Sequence, residues 1–118
     1  MTASELINND IPALQATDTV RQALDLMEEY RISELPVVDQ QKYLGLITEN
    51  EAQNADERSA VSALLHTGSP VKINPVDFFL VPLRVMHQQQ IGLLPVVKDD
   101  GDLLGVITKN ELLHAAAN

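Results

Sequence analysis

Two matching segments of this chain, residues 45–51 and 105–111, each contain a threonine followed three residues later by a glutamate, and these hydroxyl and carboxylate groups have the chemistry to hydrogen-bond a polar ligand. The pairs are Thr48 with Glu51 and Thr108 with Glu111. A carboxylate accepts charge-assisted hydrogen bonds from a vicinal diol, and free N–H groups at a helix N-terminus suit an anionic group. A purely structural explanation competes, because threonine often caps helices and the helix dipole stabilises a glutamate in the first turn.

Other reactive sites are not indicated. The chain has no cysteine, which excludes disulfides, thiolate metal sites and cysteine nucleophiles. The three histidines, His66, His87 and His114, are predicted on separate helices without the spacing of metal ligands. The sequence contains neither a glycine-rich phosphate loop nor a strained nucleophile turn. We therefore predict no enzyme activity and no metal site.

Both Thr–Glu pairs belong to a longer internal repeat. The motif Leu-Pro-Val-Val at residues 35–38 returns 59 residues later at 94–97, and Gly-hydrophobic-Ile-Thr at 45–48 returns 60 residues later at 105–108. A repeat of this length contains several elements and indicates a duplicated subdomain. Because about 60 residues bury little core alone, we expect the halves to share one core and to enclose clefts between them.

Hydrophobic periodicity predicts the order strand, helix, strand, strand, helix in each half. Thr19 and Gln22 form a capping-box pattern at the start of the first helix. In the second half, Pro82 is tolerated only if the corresponding helix begins near Phe79. Packing the two sheets together with helices outside gives an α+β fold. The predicted repeats are residues 1–55 and 56–118.

Composition restricts the class of partner. The net charge is −9, from 17 acidic and 8 basic residues, and the basic stripe expected of a nucleic-acid-binding protein is missing. The same charge disfavours an anionic membrane surface. No signal peptide or apolar run of membrane-spanning length is seen, so we expect a cytoplasmic location.

The two repeated motifs and their tandem arrangement resemble a CBS domain pair, also called a Bateman module, over roughly residues 11–114. The resemblance implies a regulatory module without catalytic residues. Such modules commonly bind adenosine-containing ligands between their halves and usually dimerise through their helices, so we expect a small-molecule ligand and a homodimer. The last helix lacks a stop signal, which fits either the N-terminal part of a longer bacterial CBS protein or a natural chain end.

The resemblance also supplies candidate ligand contacts. In ligand-binding members, a Thr or Ser and an Asp three residues later contact the ribose, and strand residues contact the adenine. Carried over, these positions are Thr17, Leu35, Pro36, Val37, Thr48, Glu51, Leu94, Pro95, Val96, Thr108 and Glu111.

This chain departs from the family pattern in two ways. Glutamate replaces both aspartates, and the residues before the Leu-Pro strands lack the usual basic side chain, with Glu34 in the first copy. These changes favour an adenosine ligand of low negative charge, such as AMP or S-adenosylmethionine, over ATP or ADP. The alternative function is a dimerisation or assembly module of a larger protein that binds no ligand.

Overall fold

The first repeat forms a three-stranded sheet with two helices. In this computed structural model, which describes residues 1–117, β1 runs parallel to β2 and β2 pairs antiparallel with β3. The elements are a 3-10 helix Ala3–Leu6, β1 Leu14–Gln15, α1 Val20–Tyr30, β2 Glu34–Asp39, β3 Lys42–Thr48 and α2 Glu49–Gln53. The predicted α+β class and order of elements are confirmed.

The second repeat follows the same order with a smaller sheet. Its elements are a 3-10 helix Val61–Leu64, α3 Leu80–Gln89, β4 Leu93–Val97, β5 Leu103–Thr108 and α4 Lys109–Ala117. The strand expected near residues 71–73 is reduced to one parallel bridge between Ile73 and Val96. Pro82 lies buried in the first turn of α3, where its missing N–H costs no helical hydrogen bond.

Local capping sets where the first helix of each repeat begins and ends. Thr19 accepts a hydrogen bond from the Gln22 N–H, and the Gln22 side chain accepts one from the Thr19 N–H at 2.7 Å, as the sequence predicts. Arg31 and Gln90 end α1 and α3 in the left-handed conformation, both with φ of 55°. This repeated turn leads each chain segment directly into the Leu-Pro strand.

The apolar core consists of two clusters and not the single shared core expected from the repeat length. One cluster contains residues of the second repeat together with Ala3 and Leu6, and the other contains residues of the first repeat together with Val61. The 3-10 helix Ala3–Leu6 therefore packs on the core of the second repeat, and the 3-10 helix Val61–Leu64 packs on the core of the first. A Cβ atom at Gly105 would lie 2.5 Å from Ile7 Cγ2, so the leading segment packs here because residue 105 is glycine.

The two repeats also meet at the tips of their hairpins. The Tyr43 N–H donates to the Gly101 carbonyl at 3.0 Å, and the Leu103 N–H donates to the Gln41 carbonyl at 2.9 Å. Lys42 forms an ion pair with Asp102 across the same junction. These contacts fix the relative position of the halves that enclose the clefts.

Candidate functional site: two clefts between the repeats

Each cleft combines parts of both repeats. The first cleft, of about 310 Å³, joins Thr48 and Glu51 to second-repeat residues that include His66 and Ile91. The second cleft, of about 340 Å³, joins Thr108 and Glu111 to first-repeat residues, namely Asn8, Ile11, Tyr30, Arg31, Ile32, Ser33 and Glu34. Both volumes lie near the lower end for small-molecule pockets. The sequence does not indicate that each cleft joins residues of both repeats, because each repeated motif lies within a single repeat.

In both Thr–Glu pairs the glutamate carboxylate accepts hydrogen bonds from its own threonine, and the Thr48–Glu51 pair forms a full capping box. Thr48 Oγ1 accepts from the Glu51 N–H, while Glu51 Oε1 accepts from the Thr48 N–H and hydroxyl, both at 2.9 Å. In the second cleft, Glu111 accepts from the Thr108 N–H at 3.0 Å and from its hydroxyl at 2.6 Å. The longer glutamate thus reaches back to its own helix cap. The Thr-x-x-Glu spacing is itself the signal for this arrangement.

His66 distinguishes the first cleft from the second. Its Nε2 atom contacts Glu51 Oε2, so both Glu51 oxygens have partners within the chain. Burial acts to raise the pKa of Glu51, but hydrogen bonds from Thr48 and His66 outweigh it and lower the pKa. His66 was predicted on a helix without a role, whereas it lies in the linker after the 3-10 helix Val61–Leu64. The sequence contains no signal for a contact across these 15 residues.

Asn8 occupies the position of the second cleft that His66 occupies in the first. The equivalence follows from packing, since Leu65 lies against Gly45 just as Ile7 lies against Gly105. The Asn8 side-chain carbonyl accepts from the Asp10 N–H at 2.9 Å, within its own turn. The linker of the first repeat therefore places an amide, and not an imidazole, beside the second Thr–Glu pair.

Glu34 forms a wall common to both clefts. Its side chain crosses to the second repeat, where Oε1 accepts from the Gly92 N–H at 3.1 Å, and the residue is only 8% exposed. Burial raises the pKa of Glu34; the Gly92 bond opposes this shift and the nearby Glu49 charge adds to it. The equivalent position in the second repeat is Leu93. An ionised Glu34 disfavours a phosphate close to this wall.

Comparison with known proteins identifies this architecture. The sequence profile of the CBS domain matches residues 3–56 and 61–118. The chain belongs to the CBS domain family. A CBS domain pair/ACT domain protein from Thermotoga maritima has a similar structure, with a TM-score of 0.89 and 23% identity over 99% of this chain and 97% of that one. The structure of CBSX2 in complex with AMP is also similar, with a TM-score of 0.82 and 21% identity over 98% of this chain and 96% of that one.

The curated relatives include larger enzymes. Inosine-5'-monophosphate dehydrogenase from Korarchaeum cryptofilum is 29% identical over 112 residues, which are 95% of this chain and 24% of that protein. The chain spans about a quarter of the length of this relative. The CBS pair is only one part of such an enzyme, so the match carries no catalytic assignment.

The charges of the two clefts in this CBS pair differ. Arg31 and Lys109 line the second cleft, whereas the residues that line the first cleft within the described residues 1–117 include no lysine or arginine. Arg31 belongs to the first repeat, but it lines the same cleft as the Thr–Glu pair of the second. Because this basic pair combines residues of both repeats, the motifs of a single repeat do not reveal it.

The remaining predicted contacts lie away from both clefts. Thr17 is exposed between β1 and α1. The six strand residues are buried in β2 and β4, namely Leu35, Pro36, Val37, Leu94, Pro95 and Val96. Ligand contact by any of these seven residues stays a prediction. The structure brings together only Thr48 with Glu51 and Thr108 with Glu111.

Nowhere in residues 1–117 of this CBS pair do three or more His, Asp or Glu side chains gather so that they could hold a metal ion. None of the helices described here has both the length and the apolar character needed to cross a bilayer.

Proposed function

We propose that this CBS pair is a regulatory module that senses an adenosine-containing ligand in the clefts between its repeats. The observation that carries the proposal is the combination of Thr108, Glu111, Arg31 and Lys109 around the second cleft. The carboxylate suits a ribose diol, and the two basic side chains suit a phosphate. The AMP bound by the structurally similar CBSX2 agrees with this chemistry.

The two clefts favour different ligands. Arg31 and Lys109 offset the charge of Glu34 in the second cleft, so a nucleoside monophosphate such as AMP is the expected ligand there. The first cleft contains Glu34, Glu51 and His66, which favours a neutral or cationic adenosine compound such as S-adenosylmethionine. Ligand binding would shift the equilibrium between arrangements of the repeats only through its differential affinity for them.

Thermal unfolding with AMP, ATP and S-adenosylmethionine tests the proposal, because a ligand that binds the folded state stabilises it by RT ln(1 + [L]/Kd). AMP is expected to raise the Tm of the unchanged protein. Glu111→Ala and Arg31→Gln should remove this increase, whereas Glu51→Ala, the matched change in the first cleft, should preserve it. No increase in Tm with any of the three compounds at millimolar concentration would refute ligand sensing.

The alternative is an assembly module without a ligand. It is favoured by the Glu51 and Glu111 carboxylates, which already accept hydrogen bonds from their own helix caps. A diol must compete with these bonds, and losing a helix cap costs about 1 kcal/mol. The same unfolding series separates the two functions, since an assembly module shows no response to adenosine compounds.

Both functions include a homodimer formed through the helices, which we propose from the exposed helical faces of each repeat. Grooves of about 510 and 460 Å³ run between the two helices of the first and second repeats, and both contain partly exposed aliphatic side chains. Sedimentation at micromolar concentration is expected to show a dimer. A monomer under these conditions would exclude this assembly.

A further inference from the structure

The Glu34 carboxylate is held at one oxygen and open at the other. Its Oε1 atom accepts from the Gly92 N–H, which fixes the side chain between the two repeats. Its Oε2 atom has no hydrogen-bond partner among residues 1–117, and no side-chain oxygen that lacks a partner in this range is fully buried. Oε2 is therefore accessible from the clefts that Glu34 lines. This oxygen can gain or lose a proton without breaking the bond to Gly92.

The side chains that line the second cleft have no net formal charge. In the part of the chain that the structure describes, two basic side chains, Arg31 and Lys109, and two acidic side chains, Glu34 and Glu111, line this cleft. A phosphate group that enters the cleft adds negative charge that these four side chains do not offset. Protonation of one carboxylate gives the cleft a positive charge and thereby favours the phosphate.

Of these two carboxylates, Glu34 is the better placed to take up a proton. Both Glu111 oxygens accept hydrogen bonds from Thr108, so a proton on either oxygen competes with one of these bonds. Glu34 accepts a single hydrogen bond and is only 8% exposed. Burial is the main cause that raises the pKa of Glu34; the Gly92 bond opposes this shift and the Glu49 charge adds to it.

The groups around Glu34 act on its charge in opposite directions. The titratable and charged side chains that share its clefts are Tyr30, Arg31, Lys109 and Glu111 in the second and Glu51 and His66 in the first, with Glu49 nearby in α2. Arg31 and Lys109 favour an ionised Glu34, whereas Glu49 disfavours it. A phosphate that pairs with the two basic side chains reduces their attraction for the Glu34 carboxylate. Filling the second cleft therefore shifts Glu34 toward its neutral form.

We infer that Glu34 links ligand binding in the second cleft to proton uptake, so that an anionic adenosine ligand binds together with a proton on the Glu34 carboxylate. The inference rests on the proposed adenosine site and adds a dependence on pH to it. Linkage is reciprocal, so the proton and AMP strengthen each other's binding by the same factor. The affinity for AMP therefore falls as pH rises through the titration of Glu34.

Titration calorimetry of AMP in buffers of different ionisation enthalpy tests this link, because it counts the protons taken up on binding. Between about pH 5 and pH 8, the unchanged protein should take up more protons than Glu34→Gln, by up to about one. The amide still accepts from Gly92 but cannot be protonated in this range. The AMP phosphate titrates near pH 6, but it does so with both proteins and cancels in the difference.

Asp39→Asn is the matched control for the calorimetry. Asp39 lies at the other end of the same strand, is exposed and lines neither cleft. Its variant should take up as many protons as the unchanged protein. Glu34→Gln, which resembles the protonated carboxyl, should also bind AMP more tightly at neutral pH, by up to about tenfold for each pKa unit of linkage.

Carboxyl NMR of Glu34 in the unchanged protein gives an independent measurement. Saturating AMP should raise the pKa of Glu34, whereas adenosine, which lacks the phosphate, should raise it less. Equal proton uptake by the unchanged protein and Glu34→Gln, or a Glu34 pKa that AMP does not alter, overturns the proton link and leaves the adenosine site standing. Absence of AMP binding to both proteins overturns the adenosine site as well.

Discussion

The first and second clefts share one construction and differ in the residues brought to it by the opposite repeat. Both have a Thr–Glu pair at a strand-to-helix junction, with the glutamate accepting hydrogen bonds from the threonine N–H and hydroxyl. The segments that follow the two 3-10 helices supply His66 to the first cleft and Asn8 to the second. Arg31 and Lys109 line only the second cleft. The duplication has preserved the parts that backbone geometry requires, while the exposed charges that select a ligand have diverged.

This difference makes the first cleft the more self-contained of the two. His66 contacts the Glu51 oxygen that the helix cap leaves available, whereas in the second cleft Thr108 alone engages both Glu111 oxygens. A ligand in the first cleft must therefore displace a side chain from the linker as well as compete with the cap.

Gly105→Ala should destabilise the protein by about 1–3 kcal/mol, the usual cost of an overpacked site. The new methyl group would lie 2.5 Å from Ile7 Cγ2 and displace the segment that walls the second cleft. Urea unfolding measures the loss. Ile7→Ala is the control background, where the added cost of Gly105→Ala should fall sharply. An equal cost in both backgrounds would show that the leading segment does not depend on this contact.

His66→Asn, which copies the residue of the second cleft, should strengthen adenosine binding in the first cleft by up to about tenfold. The reason is that Glu51 loses a competing hydrogen bond, worth on the order of 1 kcal/mol. Calorimetry in a Glu111→Ala background isolates the first cleft. The reciprocal change, Asn8→His in a Glu51→Ala background, should weaken the second. Unchanged affinities in both variants would remove His66 as the source of the difference.

The pH dependence of Glu51 should also respond to His66. Because the folded-state pKa of Glu51 is lowered, its stabilising effect is present above the ordinary carboxyl pKa and is lost as pH falls through the folded-state pKa. His66→Asn should raise that pKa, so the loss begins at a higher pH. Carboxyl NMR of Glu51 measures the shift directly. His87→Asn, a change in another exposed histidine, should leave the Glu51 titration unaltered.

Glu34→Gln should raise the Tm at neutral pH by at most a few degrees. Burial raises the folded-state pKa of Glu34, so the native protein binds the proton more tightly than the unfolded chain. Stability is then lost as pH rises through this range, and a neutral amide avoids the loss while still accepting from Gly92. Thermal unfolding should show the gain disappearing at acidic pH, below the ordinary carboxyl range. A gain independent of pH would assign it to packing instead.

Several features were predictable because they depend on neighbours within a few residues. The Thr19–Gln22 box and Pro82 correctly predicted the starts of α1 and α3. The repeated Leu-Pro and Gly-x-x-Thr motifs correctly predicted the hairpins and the junctions with α2 and α4. The Thr-x-x-Glu spacing carries the same local signal, so the hydrogen bonds from Glu51 and Glu111 to their helix caps are also predictable from the sequence.

The sequence by itself determined that this protein is a duplicated α+β module, since repeat spacing, apolar periodicity and caps are local properties. Only the tertiary structure decided which repeat supplies each wall of a cleft. His66 meets Glu51 across 15 residues and Glu34 meets Gly92 across 58, and no local preference encodes such distances. The His66 contact arises because each repeat covers its core with the other's leading segment, and that exchange brings different residues to two equivalent clefts.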